Sequence, residues 1–368
     1  MLITAALTEA AGAPFVLREV ELDAPRPGEV LVRLVSAGIC HSDLIVRDRW
    51  FPVPLPIVLG HEGAGVVEEV GGDSAEVRVG DHVVLSFDSC GACARCRRGA
   101  PAYCADFVAR NFSGVRGDGS TPMRSGSAAV HGFFFGQSSF ATHALAPVRS
   151  VTPMPRDLPL ELLGPLGCGV QTGAGSVLNS LACEPGSGIA VFGAGSVGCS
   201  AVMAAVIAGC DPIVAIGRNR ARLRLAEELG ATHTVELGRA EPVGRVRELT
   251  GGRGIDYTLE ATGVPEILRM AVDALHSSGV CGVVGGAAPG TEVALEMSGL
   301  MFGRQVRGIV EGDSIPQLFL PVLADLHVRG RLPFDRMVSL YPFAEINQAA
   351  RDSQRGGCLK PVLHFKGF

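Results

Sequence analysis

The stretch Gly188-Ile189-Ala190-Val191-Phe192-Gly193-Ala194-Gly195-Ser196-Val197-Gly198 decides how this chain is read. A short apolar run, which reads as a strand, stops at a glycine, and a helix of small residues follows. Gly193, Gly195 and Gly198 make the G-x-G-x-x-G pattern, which in that setting marks dinucleotide binding. The first glycine makes the turn, and the second lets the backbone approach a pyrophosphate. The third lets helix and strand pack closely. Ser196 and Val197 open the helix whose N-terminus would receive the phosphates.

Downstream, 185–310 alternates strands and helices, as a parallel sheet with crossover helices requires. The next strand, Pro212–Ile216, should end in the residue that reads the adenosine ribose. An NAD site places a carboxylate there. This chain has Gly217, then Arg218-Asn219-Arg220, with Arg222 close behind. Glycine leaves room for a 2′-phosphate and arginine binds one through two hydrogen bonds. The expected cofactor is therefore NADP, with NAD possible if the arginines are merely solvated. Val284, in the strand and turn at 279–286, joins the expected cofactor-binding residues.

Upstream, 1–85 reads mostly as strands broken by Pro-Gly and Gly-Gly, which predicts an antiparallel, partly open barrel. Three features inside and beyond it carry chemistry. Gly60-His61-Glu62-Gly63 sets a histidine and a carboxylate at the mouth of a glycine-rich turn, able to hold a metal. Cys40-His41-Ser42-Asp43 brings a thiol and a hydroxyl together, although a buried free cysteine reads equally well there. Cys168, flanked by Gly167 and Gly169, has an open approach. Between them, Cys90, Cys93, Cys96 and Cys104 give two C-x2-C steps sharing Cys93 and a closing cysteine. That pattern predicts a structural, tetrahedral zinc, with an iron–sulfur cluster as the competing metal. Residues 105–137 read as a long Gly/Ser/Thr-rich loop that either shapes substrate access or is a surface excursion.

Composition excludes other classes. The 368 residues suffice for two domains, and the net charge of −5 gives no reason to expect nucleic acid or an acidic membrane as partner. No apolar run approaches the ~20 residues of a membrane span. The N-terminus lacks a basic, signal-like start, so the protein is expected in the cytoplasm. Eleven cysteines, an odd number, then read as metal ligands and buried fillers, not as disulfides.

The set Cys40, Gly60-His61-Glu62, Cys90, Cys93, Cys96, Cys104, Cys168 and Gly193–Gly198, in this order, resembles the zinc-dependent alcohol dehydrogenases of the medium-chain dehydrogenase/reductase superfamily. Val53-Pro54-Leu55-Pro56 and Val306–Ser314 resemble most the bacterial aryl-alcohol dehydrogenases. The resemblance covers essentially the whole chain. It implies an α/β fold: a GroES-like, partly open β-barrel catalytic domain (1–169 and 311–368) and a Rossmann doubly wound parallel-sheet coenzyme domain (170–310). It implies two zinc ions per chain, the catalytic one on Cys40, His61 and Cys168 with Glu62 beside it. Asp43 would orient His61, and Ser42 would pass on the substrate proton. His41 and Lys360 fall where relatives carry basic residues near the cofactor phosphates. Trp50, Phe51 and Phe87 fall near the family's substrate pocket. Hydride would pass between a small-molecule alcohol or aldehyde and the nicotinamide. The chain departs from the pattern at Ile45, where many relatives end the proton relay on a histidine, and at Gly217. A homodimer or homotetramer is expected. The alternatives are a thiol-dependent formaldehyde dehydrogenase and an inactive NADP-binding scaffold.

Overall fold

A computed structural model describes residues 1–49 and 51–368; Trp50, expected near the substrate, lies outside the described residues. The chain divides into two compact units, Met1–Cys168 with Ile315–Leu323 and Asp335–Phe368, and Gly169–Ser314 with Ala324–Phe334. The sequence assigned 324–334 to the first unit, but in the structure it groups with the second. The helix Pro316–Val328 runs across that division, so no turn signal marks it.

The first unit is built on two sheets. One has the order Ile57–Val58, Leu2–Thr8, Val16–Leu22, Met123–Ser125, Ala128–Val130. The other centres on Glu29–Gly38, which pairs antiparallel with Gly63–Val70, His143–Pro147 and Lys360–His364. Its apolar positions are almost all buried, which explains its run of Val and Leu. These pairings bring the ends of distant segments to one place: Gly38 and Ile39 at the end of the central strand, Gly63 beside Ala37, and Val362 opposite Gly38.

Residues 105–137 are not the structureless loop the composition suggests. They contain the helix Phe107–Phe112 and the hairpin strands Met123–Ser125 and Ala128–Val130. What ties this segment down is Arg116, only 5% exposed. Its Nε and Nη2 donate to the two carboxylate oxygens of Glu29 at 2.7 and 3.0 Å, and its Nη1 donates to Asp23 at 3.1 Å. A long-range ion pair of this kind leaves no trace in local sequence.

The second unit is a six-stranded parallel sheet with the order His233–Glu236, Ile213–Gly217, Ile189–Phe192, Ile255–Glu260, Leu275–Val283, Gln305–Gly308. In chain order that is 3-2-1-4-5-6, the arrangement that binds dinucleotides at the carboxyl ends of its strands. The core is formed by Ala190, Phe192, Val214, Ile216, Ile255 and Leu275 with the helix residues Val246, Ala271 and Val272. The helix Ser196–Ala208 is apolar on nearly every side because it is buried on nearly every side. It lies so close to Gly169–Gly175 that a Cβ on Gly173 would stand 2.1 Å from the Val197 carbonyl oxygen.

Removing the Arg116 cation should strand the Glu29 carboxylate in a largely dry site, at a cost of roughly 3–5 kcal/mol. Arg116→Met is expected to lower the urea midpoint sharply, and Arg116→Met with Glu29→Gln to recover most of the loss. Equal midpoints for the two variants would show that the ion pair does not hold the segment.

Candidate functional site

Cys40 sits where the central strand gives way to the helix His41–Arg47, and it caps that helix. Its backbone N–H donates to Asp43 Oδ2 at 2.9 Å. Asp43 Oδ1 in turn accepts the Gly60 N–H at 3.1 Å and faces His61 Nδ1 at 2.8 Å. A carboxylate can only accept, so His61 carries a proton on Nδ1, and the neutral ring would have its lone pair on Nε2. Asp43 is fully buried and His61 only 1% exposed. One acid therefore sets the helix start, the turn at Gly60 and the tautomer of the histidine.

His61 Nε2 is buried and has no hydrogen-bond partner among the described residues. Such an atom is costly unless something not made of protein satisfies it. The ligand atoms of Cys40, His61, Glu62 and Cys168 all lie within 4.8 Å of one another. Two sulfurs and an imidazole nitrogen suit zinc, and three such ligands leave a position open. The Cys168 thiol beside it holds the Cys40 thiol well below its usual pKa, against the effect of burial. Burial works against a charged His61, but Asp43 and Cys40 together outweigh it and raise the imidazole pKa well above its usual value. Ser42 Oγ stands 3.6 Å from Cys40 Sγ, at the rim of the set. His41 is exposed, and Ile45 offers no polar atom.

Lys360 lies beside Glu62. It is 1% exposed, and its Nζ donates to both Glu62 oxygens at 2.7 Å. Burial opposes its charge, but Glu62 and the Cys40 and Cys168 sulfurs together raise its pKa above the usual lysine value. The register of the strand Lys360–His364 on Glu29–Gly38, invisible in the sequence, puts it there.

The four cysteines of the second cluster also lie within 4.8 Å of one another. Cys90 Sγ accepts the N–H groups of Ala92 and Cys93 at 3.4 and 3.2 Å, and Cys104 Sγ accepts that of Cys90 at 3.2 Å. The Ala105 and Cys96 amides bring the Cys93 thiol down to about 6, whereas burial pushes Cys104 up to about 12. Four thiolates at this separation repel one another unless a dication sits among them, which fits a closed zinc site. Gly91 is required in the turn: its φ is +66°, and a Cβ would lie 1.9 Å from Arg149 Nη1.

In the second unit Gly193 has φ +114°, and a Cβ on Gly198 would lie 1.8 Å from the Gly193 carbonyl oxygen. Gly195 differs, since no protein atom lies within 4 Å of where its Cβ would be. The space at Gly195 is therefore open, where Ser196 and Val197 begin the helix. At the end of the next strand a Cβ on Gly217 would make only ordinary contacts, none under 3.5 Å. Arg218 is exposed and Arg222 half-buried, with Asn219 capping the helix between them. Arg220 is committed elsewhere, to Glu236 at 2.7 Å, and Glu236 also meets Arg239 at 3.3 Å. Val284, just past its strand, donates its N–H to the Glu260 carbonyl.

Sequence reasoning named Phe51 and Phe87 but missed the wall of rings they join. Phe135 stacks on His61 with ring centres 4.5 Å apart, and Phe134 meets the same imidazole edge-on at 5.8 Å. Phe112 touches Phe134 and Phe135, and Phe51 packs on Phe112 at 4.6 Å. Phe87 reaches the wall through Phe107. Phe51, Phe107 and Phe112 are half-buried, so their faces are partly free. The one available signal was Phe133-Phe134-Phe135-Gly136-Gln137, an aromatic run in a polar stretch. Gln137, fully buried, donates to the His61 carbonyl at 3.0 Å and accepts the Gly63 N–H at 3.1 Å.

Comparison with known proteins adds three kinds of likeness. The family model of the alcohol dehydrogenase GroES-like domain matches residues 26–156, and that of the zinc-binding dehydrogenases matches 196–325. A geraniol dehydrogenase of Castellaniella defragrans is 44% identical over 98% of this chain and 97% of its own. The crystal structure of a benzyl alcohol dehydrogenase from Acinetobacter calcoaceticus is 46% identical, covers 99% of both chains and superposes with a TM-score of 0.96. An alcohol dehydrogenase zinc-binding domain protein from Burkholderia ambifaria is 53% identical with the same coverage and TM-score.

Asp43→Asn would offer His61 an amide in place of the acceptor. Loss of such a partner typically lowers metal affinity by about 10–100-fold. Dialysis against a graded chelator, with zinc counted by atomic emission, should then strip one zinc from the variant much sooner than from the parent. The four-cysteine zinc should stay; loss of both together would point to general unfolding.

Proposed function

The chain belongs to the zinc-binding alcohol dehydrogenases of the medium-chain superfamily, and from that premise we propose that it interconverts aromatic or allylic primary alcohols and their aldehydes, with NADP favoured over NAD. The observation that carries this reading is the pairing of an orphaned His61 Nε2 with a wall of phenylalanines stacked on the same imidazole. Cys40, His61 and Cys168 would hold the catalytic zinc, and the four-cysteine cluster the structural one. A zinc held this way supplies Lewis acidity that makes an alcohol hydroxyl acidic near neutral pH. Phe51, Phe107 and Phe112 offer ring faces that bind a benzylic or allylic chain by stacking and apolar burial. Ser42 Oγ, 3.6 Å from Cys40 Sγ, would take the substrate proton. Ile45 cannot carry it further, so the proton leaves by water or another group. The relatives named for geraniol and benzyl alcohol, an allylic and a benzylic alcohol, support the same class.

The cofactor preference rests on Gly217. Nothing in the backbone or its neighbours demands glycine there, so its lack of a side chain reads as room for a 2′-phosphate. The guanidinium groups we assign to that phosphate are Arg218, exposed at the strand's end, and Arg222 on the helix that follows. A charged hydrogen bond is worth about 1.5–3 kcal/mol, roughly ten- to a hundredfold.

The strand Gln305–Gly308 ends the parallel sheet, and all four of its residues are exposed. Beside it Met297, Met301 and Phe302 are 82%, 73% and 65% exposed. An open edge next to apolar side chains favours pairing with a second copy, so we place the chain in a homodimer. No described helix is long and apolar enough to cross a membrane, and eleven free thiols suit a reducing cytoplasm.

The first test is kcat/KM for benzyl, cinnamyl and geranyl alcohol with each cofactor. NADP should lead, and Gly217→Asp should swing the ratio toward NAD by about tenfold or more. A parent that prefers NAD would overturn the reading of Gly217. Phe112→Ala should lower kcat/KM for benzyl alcohol by roughly tenfold, with little change for ethanol. Light scattering should give twice the chain mass, and Val306→Asp should shift it toward the monomer; a monomeric parent would refute the edge-strand dimer.

A further inference from the structure

Glu62 follows a metal ligand directly, yet the structure turns its carboxylate into a closed niche. Its Oε2 fills the place a side chain at residue 38 would take: a Cβ on Gly38 would lie 2.0 Å from it. The Glu62 carbonyl accepts the Gly38 N–H at 3.0 Å, and a Cβ on Gly164 would lie 2.4 Å from the same carbonyl. The floor of the niche is Lys360, whose Nζ reaches both carboxylate oxygens at 2.7 Å and the Ile39 carbonyl at 3.5 Å. The strand Lys360–His364 is held in place by its register on Ser36–Gly38 and by the bond from Ile39 N–H to the Pro361 carbonyl, 2.9 Å. The ammonium is therefore fixed, and the carboxylate is pulled onto it.

The same carboxylate has an oxygen within 4.8 Å of the ligand atoms of Cys40, His61 and Cys168. A small rotation away from Lys360 would make it a fourth protein ligand. Four protein ligands close a zinc site, and three leave it open to substrate. Charge points the same way. Two thiolates balance a dication, which leaves Glu62 as an extra buried anion that must find a cation or a metal. Lys360 is the cation within reach.

We propose that Lys360 is a positioning residue that tethers Glu62 away from the metal and so keeps the fourth coordination position free for the alcohol oxygen; this rests on the reading of Cys40, His61 and Cys168 as a metal site. Gly38 serves the tether by leaving room for the carboxylate. Lys360 thus acts on the metal through Glu62.

The test uses the full-length enzyme with Co2+ at the catalytic site and zinc kept at the four-cysteine site. Visible absorption reports the cobalt ligand set, and titration with imidazole reports whether a position is open. The parent should bind imidazole. Lys360→Met should keep its cobalt, show a changed spectrum and bind imidazole at least about tenfold more weakly. Lys360→Met with Glu62→Gln, in which the freed side chain is a poor ligand, should return to within about threefold of the parent, as expected for two coupled neighbours. Lys360→Arg should retain binding. Parent-like imidazole affinity in Lys360→Met would overturn the tether. So would equal weakening in the single and double variants, since that is the mark of a packing role. A parent that takes up no cobalt at this site would instead refute the metal reading beneath it, and the two failures are told apart by the parent's own spectrum.

Discussion

Everything at the candidate metal centre depends on one buried carboxylate. Asp43 takes the Cys40 N–H, the Gly60 N–H and the proton of His61 Nδ1 on its two oxygens. These groups come from a helix start, at Cys40, and from the turn Gly60-His61, which the sheet alone would place only to within the slack of a loop. Asp43 removes that slack and, by fixing the tautomer, aims the lone pair of Nε2 into the group of sulfurs. An acid with no exposed surface is tolerable because it accepts several hydrogen bonds and offers none.

The barrel and the parallel sheet then do different work. The barrel brings together side chains far apart in sequence, through the pairing of Glu29–Gly38 with Gly63–Val70 and Lys360–His364. The parallel sheet has open space where a Cβ on Gly195 would stand and only ordinary contacts at Gly217. On the proposed function, the first unit would choose the alcohol through its polar groups and rings, and the second would choose the cofactor through the room at Gly217.

The parts legible in sequence are those whose signal is local. The alternation of strands and helices with Gly193–Gly198 declares the parallel sheet, and the spacing of Cys90, Cys93, Cys96 and Cys104 declares a metal because all four lie in one short segment. Cys40, His61 and Cys168 are each ambiguous alone; only resemblance to a family joined them. The rest of the aromatic wall was hidden for physical reasons. Its rings sit in a stretch rich in glycine and serine, and Phe135 adopts a left-handed φ of +52° that no propensity for phenylalanine anticipates. That stretch is ordered by Arg116 and Glu29, whose pairing spans the unit. The burial of Lys360 on Glu62 was not legible, because strand register, not local sequence, sets it.

The position of Lys360 also sets an order of assembly. The four-cysteine cluster is complete once Cys104 has left the ribosome, and a metal can fold that lobe while synthesis continues. The other centre must wait for Cys168, and the cation that balances Glu62 arrives only with the final strand, Lys360–His364. Until that strand is made, the Glu62 carboxylate has no Lys360 to hold it. On the proposal that Lys360 tethers Glu62 away from the metal, that centre would become open to substrate only when Lys360–His364 takes its place on Glu29–Gly38.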